Sequence, residues 1–170
     1  MEHNAGSSAS ERSERLHVQS REEARKLAGN LLERARRKIL VFAPTLYGDF
    51  FNTAHAGGTL ASFAAAHRNN IAHFLVEDVD HSLHHNSRVV ELCRRFTDFI
   101  RMRRLNQDDT GLQEMFLVVD DTAYLHQPHV DKHDYRVAFS FPREARQLAL
   151  RHERMWERSL VIPDILPLGL

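Results

Sequence analysis

The fold of this chain is indicated most clearly by one stretch, QEMFLVVDD at residues 113–121. Its apolar run ends in two acidic residues, and the segment TAYLHQ follows at residues 122–127. Short apolar runs rich in β-branched residues favour buried strands, and aspartates favour tight turns. The stretch therefore predicts a hairpin whose strands span 115–119 and 123–127, with the turn at Asp120-Asp121-Thr122.

Upstream of this hairpin, helical and strand patterns alternate three times. A capping box, SREE at residues 20–23, begins a helix whose apolar residues recur at helical spacing as far as Ala35. The other predicted elements are strands at 39–43, 71–76 and 99–105, helices at 59–68 and 87–95, and a polar, His-rich loop at 79–86. Such alternation favours right-handed crossovers and a mainly parallel sheet.

The remaining segments set the domain limits. Downstream, the patterns predict a strand within 136–141, a long amphipathic helix at 143–159 and a surface segment at 160–170. Residues 1–19 are polar and poor in large apolar side chains, which predicts a disordered tail. Because 42% of the 170 residues are hydrophobic, residues 20–170 are predicted to form a single compact domain.

Composition argues against several classes of protein. Lys plus Arg and Asp plus Glu both number 23, so the formal net charge is zero, which disfavours a dedicated binder of nucleic acid or anionic membranes. Cys93 is the only cysteine, so no internal disulfide can form and nothing indicates an oxidising compartment. No run approaches the roughly 20 apolar residues that a membrane helix needs. We therefore expect a soluble, cytoplasmic protein without a membrane partner.

Residues 20–166 resemble a phospholipase D-like domain, and more narrowly a bacterial family of stand-alone, degenerate phospholipase D-like domains. The matching segments are ARRKILVF at 35–42, RVVELCRR at 88–95, FLVVDD at 116–121 and MWERS at 155–159. The resemblance implies an α/β sandwich, in which a mixed sheet lies between helices. Because members of the superfamily pair their domains, it also implies a homodimer.

In the superfamily, the signature stretch opens with His-x-Lys and closes with Asp. The resemblance implies that the His attacks phosphorus, the Lys holds the phosphate oxygens and the Asp supports the site. Here Gln113 and Met115 stand where the His and Lys would be, and only Asp120 carries over. We expect Gln113 and Asp120 to border a common pocket.

These replacements remove the reactive groups. The amide of Gln113 cannot act as the nucleophile, and Met115 supplies no positive charge to a phosphate. No His in the chain is followed two places later by Lys, so a shifted alignment does not restore the motif. Loss of each such group lowers the rate of phosphoryl transfer by a factor on the order of 10² to 10⁴. We expect no phospholipase D-type activity and a non-catalytic module with a binding, regulatory or protein-interaction role, including a possible protein partner.

The twelve histidines leave a second function open. Two His-rich loops could bind Zn²⁺ if they meet in space, although neither contains an established zinc motif. The candidate ligands are His81, His84 and His85 in one loop, and His126, His129 and His133 in the other. The alternative function is then a metal-dependent hydrolase or phosphodiesterase of altered chemistry; the other interpretation is that these are ordinary polar loop residues, with no cofactor.

Arginine-rich segments leave a third function open. Arg101 and Arg103 lie on one predicted strand, and five arginines lie along the last helix, so that either could form a basic patch. Such a patch would fit a nucleic-acid accessory protein. Glutamates are interleaved with the helical arginines, which also fits a solvated helix face with paired charges.

Overall fold

The computed structural model of the protein describes residues 14–166, so most of the predicted tail, residues 1–13, and the last four residues lie outside the described part. Its α-helices are α1 (Arg21–Arg34), α2 (Gly48–Phe51), α3 (Ala54–Ala66), α4 (Val79–His85), α5 (Ser87–Arg95) and α6 (Pro142–Arg158). Its strands are β1 (Arg15–Val18), β2 (Lys38–Ala43), β3 (Ile71–Val76), β4 (Ile100–Arg104), β5 (Met115–Val119), β6 (Ala123–Gln127), β7 (Tyr135–Ala138) and β8 (Leu160–Val161).

All eight strands join one mixed sheet in the order β1-β7-β6-β5-β2-β3-β4-β8. Only the pairs β2–β3 and β3–β4 are parallel among the described strands, and the others are antiparallel. The expectation of a mainly parallel sheet is therefore wrong, because β5 lies antiparallel beside β2 and starts a meander through β6 to β7. The mixed sheet that the resemblance implied is confirmed.

Helices cover both faces of this sheet, as a sandwich requires. Helices α1 to α5 pack on one face, where Phe51 meets Phe74 of β3 edge to face with ring centroids 5.4 Å apart. Helix α6 covers part of the other face, over a core that includes the stacked rings of Phe42 and Phe116, 5.3 Å apart. The predicted α/β sandwich with helices flanking a mixed sheet is confirmed.

The hairpin has the predicted bounds, 115–119 and 123–127, with Val119 paired to Ala123 across the turn. Asp120 and Asp121 adopt φ angles of 53° and 56° in that turn. This left-handed region is unfavourable for most side chains, but short polar residues such as Asp tolerate it. The two acids are therefore explained by the geometry of the turn.

The amino-terminal region differs from the prediction. The disordered tail was predicted for residues 1–19, but Arg15–Val18 forms an edge strand antiparallel to β7. Val18 is 5% exposed and joins the core. Burial of alternate apolar residues against the existing sheet stabilises this short strand, which the polar composition around it concealed.

Two segments predicted as irregular are ordered elements. The loop predicted at 79–86 contains α4, which Asp78 caps by accepting a hydrogen bond from the His81 backbone N–H at 3.1 Å. The carboxyl-terminal segment contains β8, which pairs with β4. No described helix is long and apolar enough to cross a membrane.

Two histidines pack between α6 and the sheet. His152 is fully buried, and its Nε2 lies 3.0 Å from the carbonyl oxygen of Val41. The ring of His73 stacks on Trp156 with centroids 3.9 Å apart. Burial lowers the pKa of His73 to about 3 and that of His152 to about 4, because a charged imidazole loses its hydration there.

Candidate functional site

A cavity of about 520 Å³ lies at the carboxyl ends of β2 and β3, on the face covered by α1 to α5. β2 delivers Ala43 to its wall, and the residues that follow β3 begin with Glu77. β5 runs antiparallel to β2, so its amino end, with Gln113 and Met115, reaches the same edge of the sheet. The cavity is therefore built where three neighbouring strands meet.

The two motif positions Gln113 and Met115 both line this cavity. They are two residues apart in extended chain and so point to the same face. Gln113 is exposed, and Met115 is 8% exposed. Among the described lining residues none is His or Lys, so no side chain there replaces the missing nucleophile or ammonium group.

The positive charge that lines the cavity is already bound. Arg21 donates two hydrogen bonds to Asp49, from Nε at 2.5 Å and from Nη2 at 2.9 Å. Its Nη1 also donates to the hydroxyl of Tyr135 at 3.3 Å. The hydrogen bond to Asp49 raises the pKa of the Arg21 guanidinium. A fork-shaped pair of this kind fixes Arg21 and neutralises its charge.

Three carboxylates also line the cavity, those of Glu77, Asp78 and Asp131. Glu77 accepts a hydrogen bond from the Gly111 backbone N–H at 3.3 Å, and Asp78 is the residue that caps α4. None of the three forms an ion pair within residues 14–166. The lining is therefore acidic overall.

Gln127 is a site residue that the sequence analysis missed. It pairs with Met115 across the hairpin and is 2% exposed. Its Nε2 lies within hydrogen-bond distance of the Lys132 carbonyl at 2.9 Å and of the Val130 carbonyl and the Tyr135 hydroxyl, both at 3.4 Å. A polar amide at an inward position of a buried strand was the signal that could have identified it.

Asp120 lies at the opposite end of β5 and does not reach the cavity. Seven residues of extended chain separate it from Gln113, which is roughly 20 Å. Its carboxylate accepts hydrogen bonds from the backbone N–H groups of Arg36 at 2.9 Å and of Arg37 and Lys38 at 2.8 Å. The expectation that Gln113 and Asp120 border a common pocket is therefore wrong.

The candidate zinc ligands are distributed over separate places. His81, His84 and His85 lie on α4, with the rings of His81 and His85 5.0 Å apart. His129 and His133 lie in the loop after β6. Within residues 14–166, no three His, Cys, Asp or Glu side chains are grouped as metal ligands.

His126 is not in a loop but on β6, facing α6. Its Nε2 lies 2.8 Å from Glu114, which also pairs with Arg151. His126 first, and then Arg151, lower the pKa of Glu114 to about 2. A second cavity, of about 470 Å³, lies beside this cluster, and its lining includes His17, His126 and Arg136.

Several arginines of the arginine-rich segments contact nearby aromatic or acidic side chains. The guanidinium of Arg103 lies 4.8 Å from the ring centroid of Trp156. Arg158 donates to Asp109 at 2.6 Å, and Arg101 lies 3.8 Å from Asp98. Among the described residues no arginine of α6 pairs with a glutamate of the same helix; Arg151 and Arg158 pair instead with Glu114 and Asp109 outside it.

The chain belongs to the family described as Domain of unknown function (DUF7931), whose model matches residues 20–168. No curated protein matches the sequence significantly. Solved structures match the fold at low identity, which shows the fold alone. These comparisons place the chain in a family and an architecture.

Three of these solved structures show the fold that this chain shares. Nuc from Salmonella typhimurium, a phospholipase D family member, is 12% identical with a TM-score of 0.63, over 86% of this chain and 95% of its own. NucT from Helicobacter pylori is 9% identical with a TM-score of 0.58, over 88% and 99%. TrmBL2, an archaeal chromatin protein with a novel mode of DNA binding, is 12% identical with a TM-score of 0.62, over 87% of this chain and 54% of its own.

Proposed function

We propose that this protein is a non-catalytic phospholipase D-like module that binds a small ligand in the cavity at the carboxyl ends of β2 and β3. The observation that carries the proposal is the position of Gln113 and Met115, which line the cavity at the places where the motif has its His and Lys. The protein thus retains a concave site, the usual form of a small-molecule site. It lacks the groups that attack and hold a phosphate.

Electrostatics support the loss of phosphodiester chemistry. A phosphodiester carries negative charge, and the transition state of its hydrolysis needs positive groups close to the phosphoryl oxygens. The described lining offers three carboxylates and one guanidinium, and Asp49 already binds that guanidinium. A bound phosphodiester would therefore be repelled and its transition state would not be stabilised.

A hydrolysis assay tests this proposal. Purified protein is incubated with bis(4-nitrophenyl) phosphate, with and without added Zn²⁺ or Mg²⁺, and the Gln113→Ala variant is measured in parallel. We expect the rates of both proteins to equal the rate without protein. Enzyme-like turnover that Gln113→Ala abolishes would overturn the proposal. Turnover only with Zn²⁺, lost in a His126→Ala variant, would instead support the metal-dependent alternative.

A nucleic-acid accessory role is the second candidate. TrmBL2, whose described function includes DNA binding, shares the fold. In this chain Arg136 faces the second cavity beside His126 and forms no ion pair within the described residues. Binding of single-stranded or duplex DNA at low salt, weakened at high salt and by Arg136→Ala, would support this candidate.

We also propose that the protein forms a homodimer and that it binds a protein partner. Members of the superfamily that the chain resembles pair their domains. β1 and β8 end the sheet and present the edges at which a second chain could pair. A dimer mass by light scattering at micromolar concentration is expected, and a monomer mass would contradict the homodimer.

A further inference from the structure

We infer that the ligand of the strand-end cavity is a small organic cation that carries an ammonium group on an apolar body. This inference rests on the proposed function, because it names the class of ligand for the same cavity. It follows from three independent properties of the lining: the balance of charge, a free hydrogen-bond acceptor, and an apolar and aromatic base.

The balance of charge favours a cation. Glu77, Asp78 and Asp131 line the cavity, and the Arg21 guanidinium that faces them is held by Asp49. A concave site with one sign of charge focuses its field and raises the local concentration of ligands of the opposite sign. An ammonium group entering the cavity would supply these carboxylates with the cationic partner that the described residues do not provide.

A hydrogen-bond acceptor without a described donor also borders this site. Gln127 is 2% exposed and lines the cavity. Its hydrogen bonds with described residues all use Nε2, so its carbonyl Oε1 has no donor among them. This oxygen remains accessible from the cavity, so an N–H donor on a ligand would hydrogen-bond to it. An ammonium group supplies N–H donors and a positive charge, whereas a phosphate ion brings mainly acceptor oxygens and negative charge.

The base of the cavity fits an apolar body. Met115 and Leu46 are buried and line it, and the ring of Phe50 lies beside them. Tyr47 contributes an aromatic ring that is half exposed at the cavity. The Arg21 guanidinium already lies 5.0 Å from the ring centroid of Phe50 and 5.9 Å from that of Tyr47, so these rings add apolar surface more than a free cation site. Together with Met115 and Leu46, they would cover the methylene groups of an alkylamine. Within the described residues no three acidic, His or Cys side chains are grouped as metal ligands, so the lining fits an alkylammonium ion better than a metal ion.

Isothermal titration calorimetry with three probes tests the inference. The probes are 1,4-diaminobutane, its neutral counterpart butane-1,4-diol, and inorganic phosphate. We expect the diamine to bind at least tenfold more tightly than the diol, and phosphate not to bind. Equal binding of diamine and diol, or no binding of the diamine, would overturn the inference.

Matched variants locate the binding. Glu77→Gln and Asp131→Asn each remove one carboxylate from the lining and are expected to weaken diamine binding by roughly fivefold to tenfold. Asp98→Asn is the control, because Asp98 is an exposed acid outside the cavity. Equal losses in all three variants would show non-specific attraction and contradict the site.

The two proposals fail in different ways. If the diamine does not bind and bis(4-nitrophenyl) phosphate is not hydrolysed, the ligand class is wrong while the non-catalytic module stands. If phosphate binds in the cavity and the phosphodiester is hydrolysed, both are wrong. Circular dichroism of each variant confirms that the fold is retained before its binding is compared.

Discussion

The two ends of β5 differ in what holds them. At the carboxyl end, Asp120 accepts hydrogen bonds from three consecutive backbone N–H groups, those of residues 36–38. At the amino end, Gln113 is exposed, and its side chain forms no hydrogen bond with the described residues. One end joins β5 to the start of β2, and the other end borders a cavity.

This difference explains why one part of the signature stretch is present and another is not. Asp120 fits the left-handed turn and satisfies three N–H groups that no other described acceptor serves. Replacing it would disturb the fold whether or not any chemistry takes place. Gln113 is exposed and Met115 lines the cavity, so neither side chain takes part in the turn or its hydrogen bonds. Retention of the acid is therefore evidence of architecture and not of activity.

Acid gives the largest expected effect, and between pH 6.5 and pH 4 it acts mainly through two histidines that lie away from both ends of β5. The folded state lowers the pKa of His152 to about 4 and that of His73 to about 3, both from 6.5. At these two histidines the unfolded chain takes up protons first as the pH falls below 6.5, so their contribution to folding stability is fully present above that pH and is lost toward pH 4. His152 alone should account for about 3 kcal/mol by pH 4.

Urea unfolding at pH 7 and pH 4 measures this loss. His152→Gln removes one titrating group while keeping a donor near the Val41 carbonyl. The variant is expected to start from a lower stability at pH 7 and to lose less of it on acidification. An unchanged pH dependence in that variant would assign the acid sensitivity elsewhere.

Removing the acid at the carboxyl end of β5 gives the next largest effect. Asp120→Ala leaves three backbone N–H groups without their acceptor and places Ala at a φ of 53°. We expect the free energy of unfolding to fall by about 2–3 kcal/mol. Asp120→Asn retains a side-chain oxygen and tolerates the turn, so it should lose clearly less. Urea denaturation followed by circular dichroism compares them, and equal losses would refute the role of the hydrogen bonds.

Changing the amino end of β5 gives the smallest effect. Gln113→Ala removes an exposed side chain without a described hydrogen bond. The unfolding free energy should therefore change by less than about 0.5 kcal/mol. If Gln113→Ala lowered the free energy of unfolding as much as Asp120→Ala in the same urea titration, both ends of β5 would contribute equally to stability, which would contradict the comparison.

Much of the fold was accessible from sequence because several signals agree locally. The hairpin of β5 and β6, the buried run of β2 and the capped start of α1 combine hydrophobic pattern with turn or cap chemistry. β1 was missed because its four residues bury few apolar side chains and depend on pairing with β7. The insertion of β5 beside β2 is also a long-range pairing, which local pattern does not encode.

The candidate site was accessible only in part. Gln113 and Met115 were identified from the signature stretch, and they line one cavity. Asp120 was misplaced, although seven residues of a strand already imply that it lies far from Gln113. Gln127 and the pair of Arg21 with Asp49 were not identified, because their meeting depends on β6, α1 and α2 reaching the same edge of the sheet.

Amide hydrogen exchange tests most directly whether the ends of β5 have separate roles. The backbone N–H groups of Arg36 and Arg37 donate to Asp120, whereas those of Leu112 and Gln113 have no acceptor among the described residues. We predict exchange at least about 100-fold slower at Arg36 and Arg37, and loss of that protection in Asp120→Ala. Equal exchange at both ends, or protection that survives Asp120→Ala, would contradict the account.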